Sequence, residues 1–229
     1  MKMEQKLNKN IFVALDFNSL EKAVDTAKQI KNYIAGVKIG TELYAACGME
    51  GLKKFKELDL KIFLDLKLHD IPNQVKKTVA TLASFENIKY LTVHTSGNYE
   101  MLKAAKEACQ KIELLGVTVL TSETHLEGIG VKNSIKDQIK LLVNLAIKAD
   151  LSGVIASAQD ISLVRSLSKE LKIFCPGIRS GENKQDQKRV MSYADFSRVV
   201  DDKCFAVIGR PIIEGNPVQN IKKIIQSAN

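Results

Sequence analysis

The chain of 229 residues is poor in cysteine, and its cysteines are badly placed for metal or disulfide chemistry. Cys47, Cys109, Cys175 and Cys204 lie far apart, without CxxC spacing and without a neighbouring histidine. Zinc sites and disulfide frameworks need closely spaced ligands or paired cysteines, so the sequence argues against both. We therefore expect a protein of a reducing cytoplasm.

Long hydrophobic runs are also missing. No stretch approaches the ~18 apolar residues that a membrane-spanning helix needs, and the apolar run near the amino terminus, residues 11–17, is too short for a signal peptide. We expect neither export nor insertion into a membrane.

Arginine is scarce although the chain is basic. The formal net charge is +8, but the excess comes mostly from lysines spread evenly along the chain, with only five arginines. Nucleic-acid surfaces cluster arginine and lysine with aromatic residues, and no such cluster is present. We expect no nucleic-acid partner, although a non-catalytic basic binding protein stays open as an alternative. An even positive field favours encounter with a small anionic ligand.

The chain does contain eight short strand-like runs with amphipathic helical patterns between them. Asn18, followed by Glu21 three residues later, predicts the start of the first helix. Strands that are apolar on both faces and alternate with helices predict an α/β fold, a parallel (β/α)8 TIM barrel forming a single domain over residues 1–229. An open doubly wound sheet is the alternative, disfavoured because no glycine-rich fingerprint follows the first strand. The predicted strands are 11–17, 36–40, 61–67, 90–96, 115–122, 153–158, 171–177 and 205–210.

Polar residues recur where these strands end, which is where such barrels carry their chemistry. The densest group is in strand 3. Asp65 and Lys67 are two residues apart, so an extended strand would point both to one face, with Leu64 and Leu66 on the other. A carboxylate beside an ammonium favours the charged form of each, so Lys67 is predicted to be a proton donor. Lys38 on the neighbouring strand extends the alternation of charge.

Two further segments point to binding functions. Asp70 precedes Pro72, which disfavours a helical conformation at Ile71, so Asp70 is predicted to project away from its own barrel mouth. The loops after strands 7 and 8, PGIRSGENKQDQ and IGRPI, occupy the usual phosphate site of these barrels. We therefore expect a phosphate ester as ligand. Residues 180–186 have the composition of a mobile lid.

Several motifs, taken together and in order, resemble the orotidine 5'-phosphate decarboxylase family. The most specific is DLKLHDIPN in strand 3, and the resemblance runs from Asp16 to Ile213. It implies removal of CO2 from orotidine 5'-monophosphate to give uridine 5'-monophosphate, with no metal and no organic cofactor. The other motifs are ALD, VKIG, VHTSGN, TVLTS, SAQD, PGIR followed by DQKRV, and IGRPI.

The resemblance also implies residue roles. Lys38, Asp65, Lys67 and Asp70 would be the catalytic set, with Asp65 against the substrate carboxylate and Lys67 protonating the carbanion at C6. Lys38 and Asp16 would hold the ribose and the charged array. The remaining implied substrate contacts are Thr121 or Ser122 to the pyrimidine, and Arg179, Gln187, Gly209 and Arg210 to the phosphate.

The family likeness further implies a homodimer in which Asp70, Ile71 and Gln74 reach into the partner's site. Gln74 is a departure, because members commonly carry threonine there. One enzymatic alternative stays open. Sugar-phosphate decarboxylases and hexulose-phosphate synthases share a DxKxxD segment but use Mg²⁺, which needs an additional carboxylate at a neighbouring strand end. Lys38 stands at that position instead, with Glu42 beyond it in the helix.

Overall fold

Eight parallel strands close into a barrel in the order of the sequence, in a computed structural model that describes residues 10–179 and 188–228. The first strand pairs with both the second and the eighth, which closes the sheet. The (β/α)8 prediction is therefore confirmed and the open-sheet alternative is wrong. The strands are β1 Ile11–Ala14, β2 Gly36–Gly40, β3 Lys61–Leu68, β4 Ile88–His94, β5 Glu113–Val117, β6 Gly153–Ile155, β7 Lys172–Cys175 and β8 Cys204–Ile208.

Helices connect consecutive strands and cover the outside of the barrel. Their apolar faces pack on the outward side chains of the strands, as the helical periodicity predicted. Among the described residues, no helix is both long and apolar enough to cross a membrane. The helices are α1 Leu20–Ile30, α2 Thr41–Lys56, α3 Pro72–Leu82, α4 Asn98–Ala108, α5 Ile135–Lys148, α6 Ile161–Leu167, α7 Tyr193–Val199, α8 Arg210–Ile213 and α9 Pro217–Gln226.

Some predicted boundaries are wrong. The first and fifth strands end at Ala14 and Val117 rather than at residues 17 and 122, and Asp16, Thr121 and Ser122 beyond these ends line the barrel mouth. The cap of α1 is Ser19 rather than Asn18, since the Ser19 hydroxyl accepts from the backbone N–H of Lys22 at 3.3 Å. Both residue types favour this position, and only the backbone geometry decides between neighbours.

The inside of the barrel contains a layer of aromatic side chains contributed by several of the strands. Phe12 contacts Phe63 and Tyr90 edge to face, with ring centroids 6.1 and 5.6 Å apart. Phe174 stacks on Phe205 at 4.6 Å. This packing leaves the carboxyl half of the interior for polar groups and gives the barrel mouth a rigid apolar floor.

Buried threonines join the carboxyl ends of neighbouring strands. The Thr95 hydroxyl donates to the carbonyl of Val117 at 2.6 Å, and the Thr118 hydroxyl donates to the carbonyl of Ile155 at 2.7 Å. The Ile155 carbonyl also accepts from the backbone N–H of Thr118 at 3.3 Å, so the side-chain bonds reinforce the contacts between these strand ends where they meet the loops.

We predict that Phe174→Ala lowers the free energy of unfolding by about 3 to 5 kcal/mol, because it opens a cavity among the stacked rings at a fully buried position. Urea denaturation measures the change. Phe174→Leu, which keeps most of the volume, is the matched control and costs less than about 1.5 kcal/mol. Equal losses in both variants would contradict the packing argument.

Candidate active site

The carboxyl ends of the strands surround a cavity of about 730 Å³. Its floor is apolar and includes Val117, Ile155, Val207 and Phe63, of which Phe63 belongs to the aromatic layer and Ile155 and Val207 pack with it. Its walls carry the polar residues expected from the sequence. The predicted residues that line it are Asp16, Lys38, Asp65, Lys67, Thr121, Ser122, Arg179, Gly209 and Arg210.

Four charged side chains form a continuous array on one side of this cavity. Lys67 Nζ lies 2.9 Å from Asp65 Oδ2, and Lys38 Nζ lies 3.6 Å from the same oxygen. Lys38 Nζ also lies 3.2 Å from Asp16 Oδ1. The array therefore alternates in sign as the sequence indicated, with Asp65 at its centre between two ammonium groups.

Asp65 is the buried member of the array, with 8% of its surface exposed. Burial on its own raises the pKa of the Asp65 carboxyl, but the Lys38 and Lys67 charges and hydrogen bonds from Lys67 and Thr92 outweigh burial. The net pKa of Asp65 lies below its ordinary value, so the group is ionised at neutral pH. A fixed negative charge thus faces the cavity beside a lysine that can donate a proton.

The backbone that carries this pair is not a regular strand. Between the pairs Leu64–Leu91 and Leu68–Val93, β3 uses more residues than β4, which is a bulge. Lys67 at the bulge has φ of 51°, in the left-handed region. The predicted contact between Asp65 and Lys67 is present, but the simple alternation used to predict it is wrong at this point.

Three predicted residues lie apart from the cavity. Asp70, Ile71 and Gln74 are exposed and are absent from the cavity lining, with 63% of Ile71 accessible. Ile71 is extended, with ψ of 149°, and Pro72 opens α3 as the local rule predicted. The Asp70 carboxylate accepts from the backbone N–H of Ile71 at 2.7 Å.

The opposite side of the cavity carries the loops after β7 and β8. Ile178 pairs with Met191 in an isolated parallel bridge, and the backbone N–H of Arg179 donates to the Met191 carbonyl at 2.9 Å. A side chain at Gly209 would approach Asp16 Oδ2 to 3.2 Å, so glycine keeps the backbone close to the charged array here. Gln187 and the predicted lid, residues 180–186, lie outside the described residues.

Arg189 belongs to the DQKRV motif, although the sequence predicts no role for it. Its Nη1 lies 2.6 Å from Asp160 Oδ2, and its Nη2 donates to the carbonyls of Val119 and Leu120 at 2.9 and 3.2 Å. The carbonyl of Thr121 accepts from the backbone N–H of Arg189 at 3.2 Å. This arginine ties the loop after β5 to the segment that pairs with Arg179.

Thr92 was missed altogether. It lies in β4 with no exposed surface, and its hydroxyl donates to Asp65 Oδ1 at 3.0 Å. The signal was a threonine on the barrel-facing side of the run YLTVH, at the level of the charged residues. A buried polar side chain inside a barrel needs a hydrogen-bond partner, and this requirement could have identified Thr92 from the sequence.

This arrangement of charged side chains around an apolar floor is suited to binding an anionic ligand and to removing water from it. The alternating charges can stabilise charge that develops in a reaction above the apolar floor, and the arginine-bearing loops can bind a distant anion. Within residues 10–179 and 188–228, no group of three or more histidine, cysteine, aspartate or glutamate side chains could hold a metal ion.

Comparison with known proteins gives a consistent set of relatives. A family model described as "Orotidine 5'-phosphate decarboxylase / HUMPS family" matches residues 9–224. A protein of Wolbachia pipientis named orotidine 5'-phosphate decarboxylase is 40% identical over 95% of this chain and 97% of its own length. One of Ehrlichia chaffeensis with the same name is 39% identical over 95% of this chain and 96% of its own length.

A solved structure extends the likeness to the fold. The crystal structure of orotidine 5'-phosphate decarboxylase from Lactobacillus acidophilus matches with a TM-score of 0.80 and 27% identity, covering 96% of this chain and 99% of that one. The match of the family model over nearly the whole barrel, and of relatives near 40% identity, leads to one conclusion. The chain belongs to the orotidine 5'-phosphate decarboxylase / HUMPS family.

Proposed function

We propose that this chain, acting as one catalytic domain, converts orotidine 5'-monophosphate to uridine 5'-monophosphate and CO2 without metal or organic cofactor. The observation that carries the proposal is the alternating array of Asp16, Lys38, Asp65 and Lys67 above an apolar floor. The family description also covers HUMPS enzymes, but relatives near 40% identity bear the decarboxylase name.

The proposed chemistry breaks one bond and forms one. The bond from C6 of the pyrimidine to the carboxylate carbon breaks, CO2 leaves, and the electron pair stays on C6. Lys67 delivers its proton to that carbanion, and solvent later returns a proton to Lys67. No electron sink is involved, so the barrier must fall through preorganised charge, with each factor of ten in rate requiring about 1.36 kcal/mol.

Asp65 contributes in two ways in this mechanism. Its hydrogen bond with Lys67 fixes the position of the Lys67 ammonium at the cavity. Its negative charge lies against the substrate carboxylate, and that repulsion is relieved when CO2 departs. Lys38 and Asp16 hold the ribose and complete the balance of charge.

The other side of the cavity provides binding energy. We assign the phosphate to Arg179, Gln187, Gly209 and Arg210, and the pyrimidine to Thr121 or Ser122. Energy from the distant phosphate can offset the cost of desolvating the substrate carboxylate beside Asp65. The arginine-bearing loops and the lysine array lie on one cavity, which supports this division of roles.

The proposal includes a homodimer in which Asp70, Ile71 and Gln74 complete the partner's site. Their exposure supports it, because residues that contact a partner must be accessible in the single chain, and 63% of Ile71 is accessible. We place the enzyme in the cytoplasm, where its four free cysteines would stay reduced. Its partners are then a nucleotide substrate and a second copy of itself, with no nucleic acid and no membrane.

The first test follows the loss of orotidine 5'-monophosphate absorbance in the presence of EDTA. We expect full activity, because Lys38 and Lys67 supply the positive charge that a metal would otherwise provide. A parallel sample with EDTA and excess Mg²⁺ is the control. Activity that needs added Mg²⁺ would contradict metal independence and favour the magnesium-dependent alternative, and absence of turnover in both samples would contradict the proposed reaction.

Lys67→Ala tests the proton donor. We expect kcat to fall by about a thousandfold or more, since the variant loses both the acid and a charge of the array. Lys53→Ala, on the exposed surface of α2, is the control and keeps kcat near the wild-type value. Circular dichroism monitors folding in each variant. A kcat for Lys67→Ala within tenfold of wild type would reject the assignment.

Sites shared across a dimer can be tested by mixing two inactive variants. In a mixed dimer of Asp70→Ala and Lys67→Ala chains, one of the two sites has both residues intact, so random pairing should restore about a quarter of the wild-type sites. The control mixes Lys67→Ala chains with chains that carry both Asp70→Ala and Lys67→Ala. No pairing of these chains gives a site with both residues intact. Activity in neither mixture would mean that each protomer holds a complete site.

A further inference from the structure

Thr92 occupies a distinctive position opposite the bulge in β3. Leu91 and Val93 on either side of it pair with Leu64 and Leu68, so Thr92 alone faces the segment from Asp65 to Lys67. The backbone ladder is interrupted there. A side-chain bond takes its place, because the backbone N–H of Lys67 donates to the Thr92 hydroxyl oxygen at 2.8 Å.

The single hydrogen of this hydroxyl has a defined direction. The oxygen already accepts from the Lys67 backbone, so its hydrogen is available for Asp65 Oδ1 at 3.0 Å. Asp65 Oδ1 is therefore a hydrogen-bond acceptor and carries no proton. Asp65 Oδ2 is left for the ammonium groups of Lys67 and Lys38. Each carboxylate oxygen has its own partner, and the plane of the carboxylate is fixed.

We propose that Thr92 is a positioning residue for decarboxylation: one hydroxyl fixes both the Asp65 carboxylate and the left-handed backbone of Lys67. The inference rests on the proposed function, because it assigns Thr92 a purpose in that reaction. Thr92 is absent from the cavity lining, so it acts through these two residues rather than on the substrate.

A comparison with Thr95 separates this role from ordinary packing. Both threonines are fully buried and both hydroxyls donate a hydrogen bond. Thr95 donates to a backbone carbonyl between strands, whereas Thr92 donates to the charged centre of the array. Loss of either bond should therefore affect stability, but only loss of the Thr92 bond should affect catalysis.

Thr92→Val keeps the shape of the side chain and removes the hydroxyl. The buried Asp65 Oδ1 then lacks a donor, and the Lys67 N–H at a strained φ lacks an acceptor. We expect kcat to fall about 10- to 100-fold, the range for a hydrogen bond to a charged group, while KM changes less than about threefold. Thr92→Ser, which keeps the hydroxyl, should restore kcat to within about threefold of wild type.

Thr95→Val is the matched control, with a comparable loss of stability and kcat within about twofold of wild type. If Thr92→Val does not fold, Thr92→Ala also removes the hydroxyl and replaces it in the comparison. A kcat within twofold of wild type in the variant without the hydroxyl would overturn the proposal. An equal fall in kcat in the Thr95 variant would overturn it as well.

A second measurement does not need turnover. Carbon-13 NMR follows titration of the Asp65 carboxyl, identified by its loss in Asp65→Asn. The charged and titratable groups facing Asp65 are Lys38, Lys67 and, at longer range, His94, whose pKa is lowered chiefly by burial. The hydroxyl bond lowers the pKa of Asp65, so Thr92→Val should raise that pKa and Thr95→Val should leave it unchanged.

The two readouts separate failure of the inference from failure of the proposed function. A wild-type chain that does not decarboxylate orotidine 5'-monophosphate rejects the function, and the titration still decides whether Thr92 controls Asp65. An active wild type combined with an unmoved Asp65 titration in the Thr92 variant rejects the inference alone.

Discussion

The whole site depends on keeping one buried carboxylate ionised. Taking Asp65 out of water costs several kcal/mol, and a single ammonium at about 4 Å returns about 4 kcal/mol at an effective dielectric of 20. A single ammonium would therefore do little more than offset the cost of burying the Asp65 carboxylate. Asp65 has two ammonium groups on one oxygen and a hydroxyl on the other, and their combined effect holds its pKa below the ordinary value despite burial.

The barrel makes this concentration of charge possible because consecutive parallel strands end at the same level. Asp16, Lys38, Asp65 and Thr92 follow or belong to β1, β2, β3 and β4, which are neighbours in the closed sheet. The aromatic layer beneath them excludes water and limits movement. The loops after β7 and β8 line the same mouth, so the proposed anion-binding residues and the lysine array are separated within one cavity.

The sequence predicted the barrel and most of the cavity lining because both depend on periodicity and on strand ends, which are local features. Pro72 likewise predicted the extended backbone at Ile71. The role of Thr92 was not predicted from the sequence, for a physical reason. Its role depends on a shift in register between β3 and β4, and a two-residue periodicity cannot reveal where that shift falls. Asp70 remains a prediction, since its proposed role requires a second copy of the chain.

The bulge explains why strain and charge occur in the same short segment. A non-glycine residue with positive φ costs about 1 to 3 kcal/mol, and Lys67 carries such a conformation at the point where its ammonium must face the cavity. A regular strand would give Lys67 a ladder hydrogen bond but would fix its direction by pairing. The bulge releases that constraint, and the Thr92 hydroxyl supplies the missing acceptor. The strain is therefore stabilised by the same side chain that orients Asp65, which makes the direction of the Lys67 side chain and the direction of the carboxylate a single structural property.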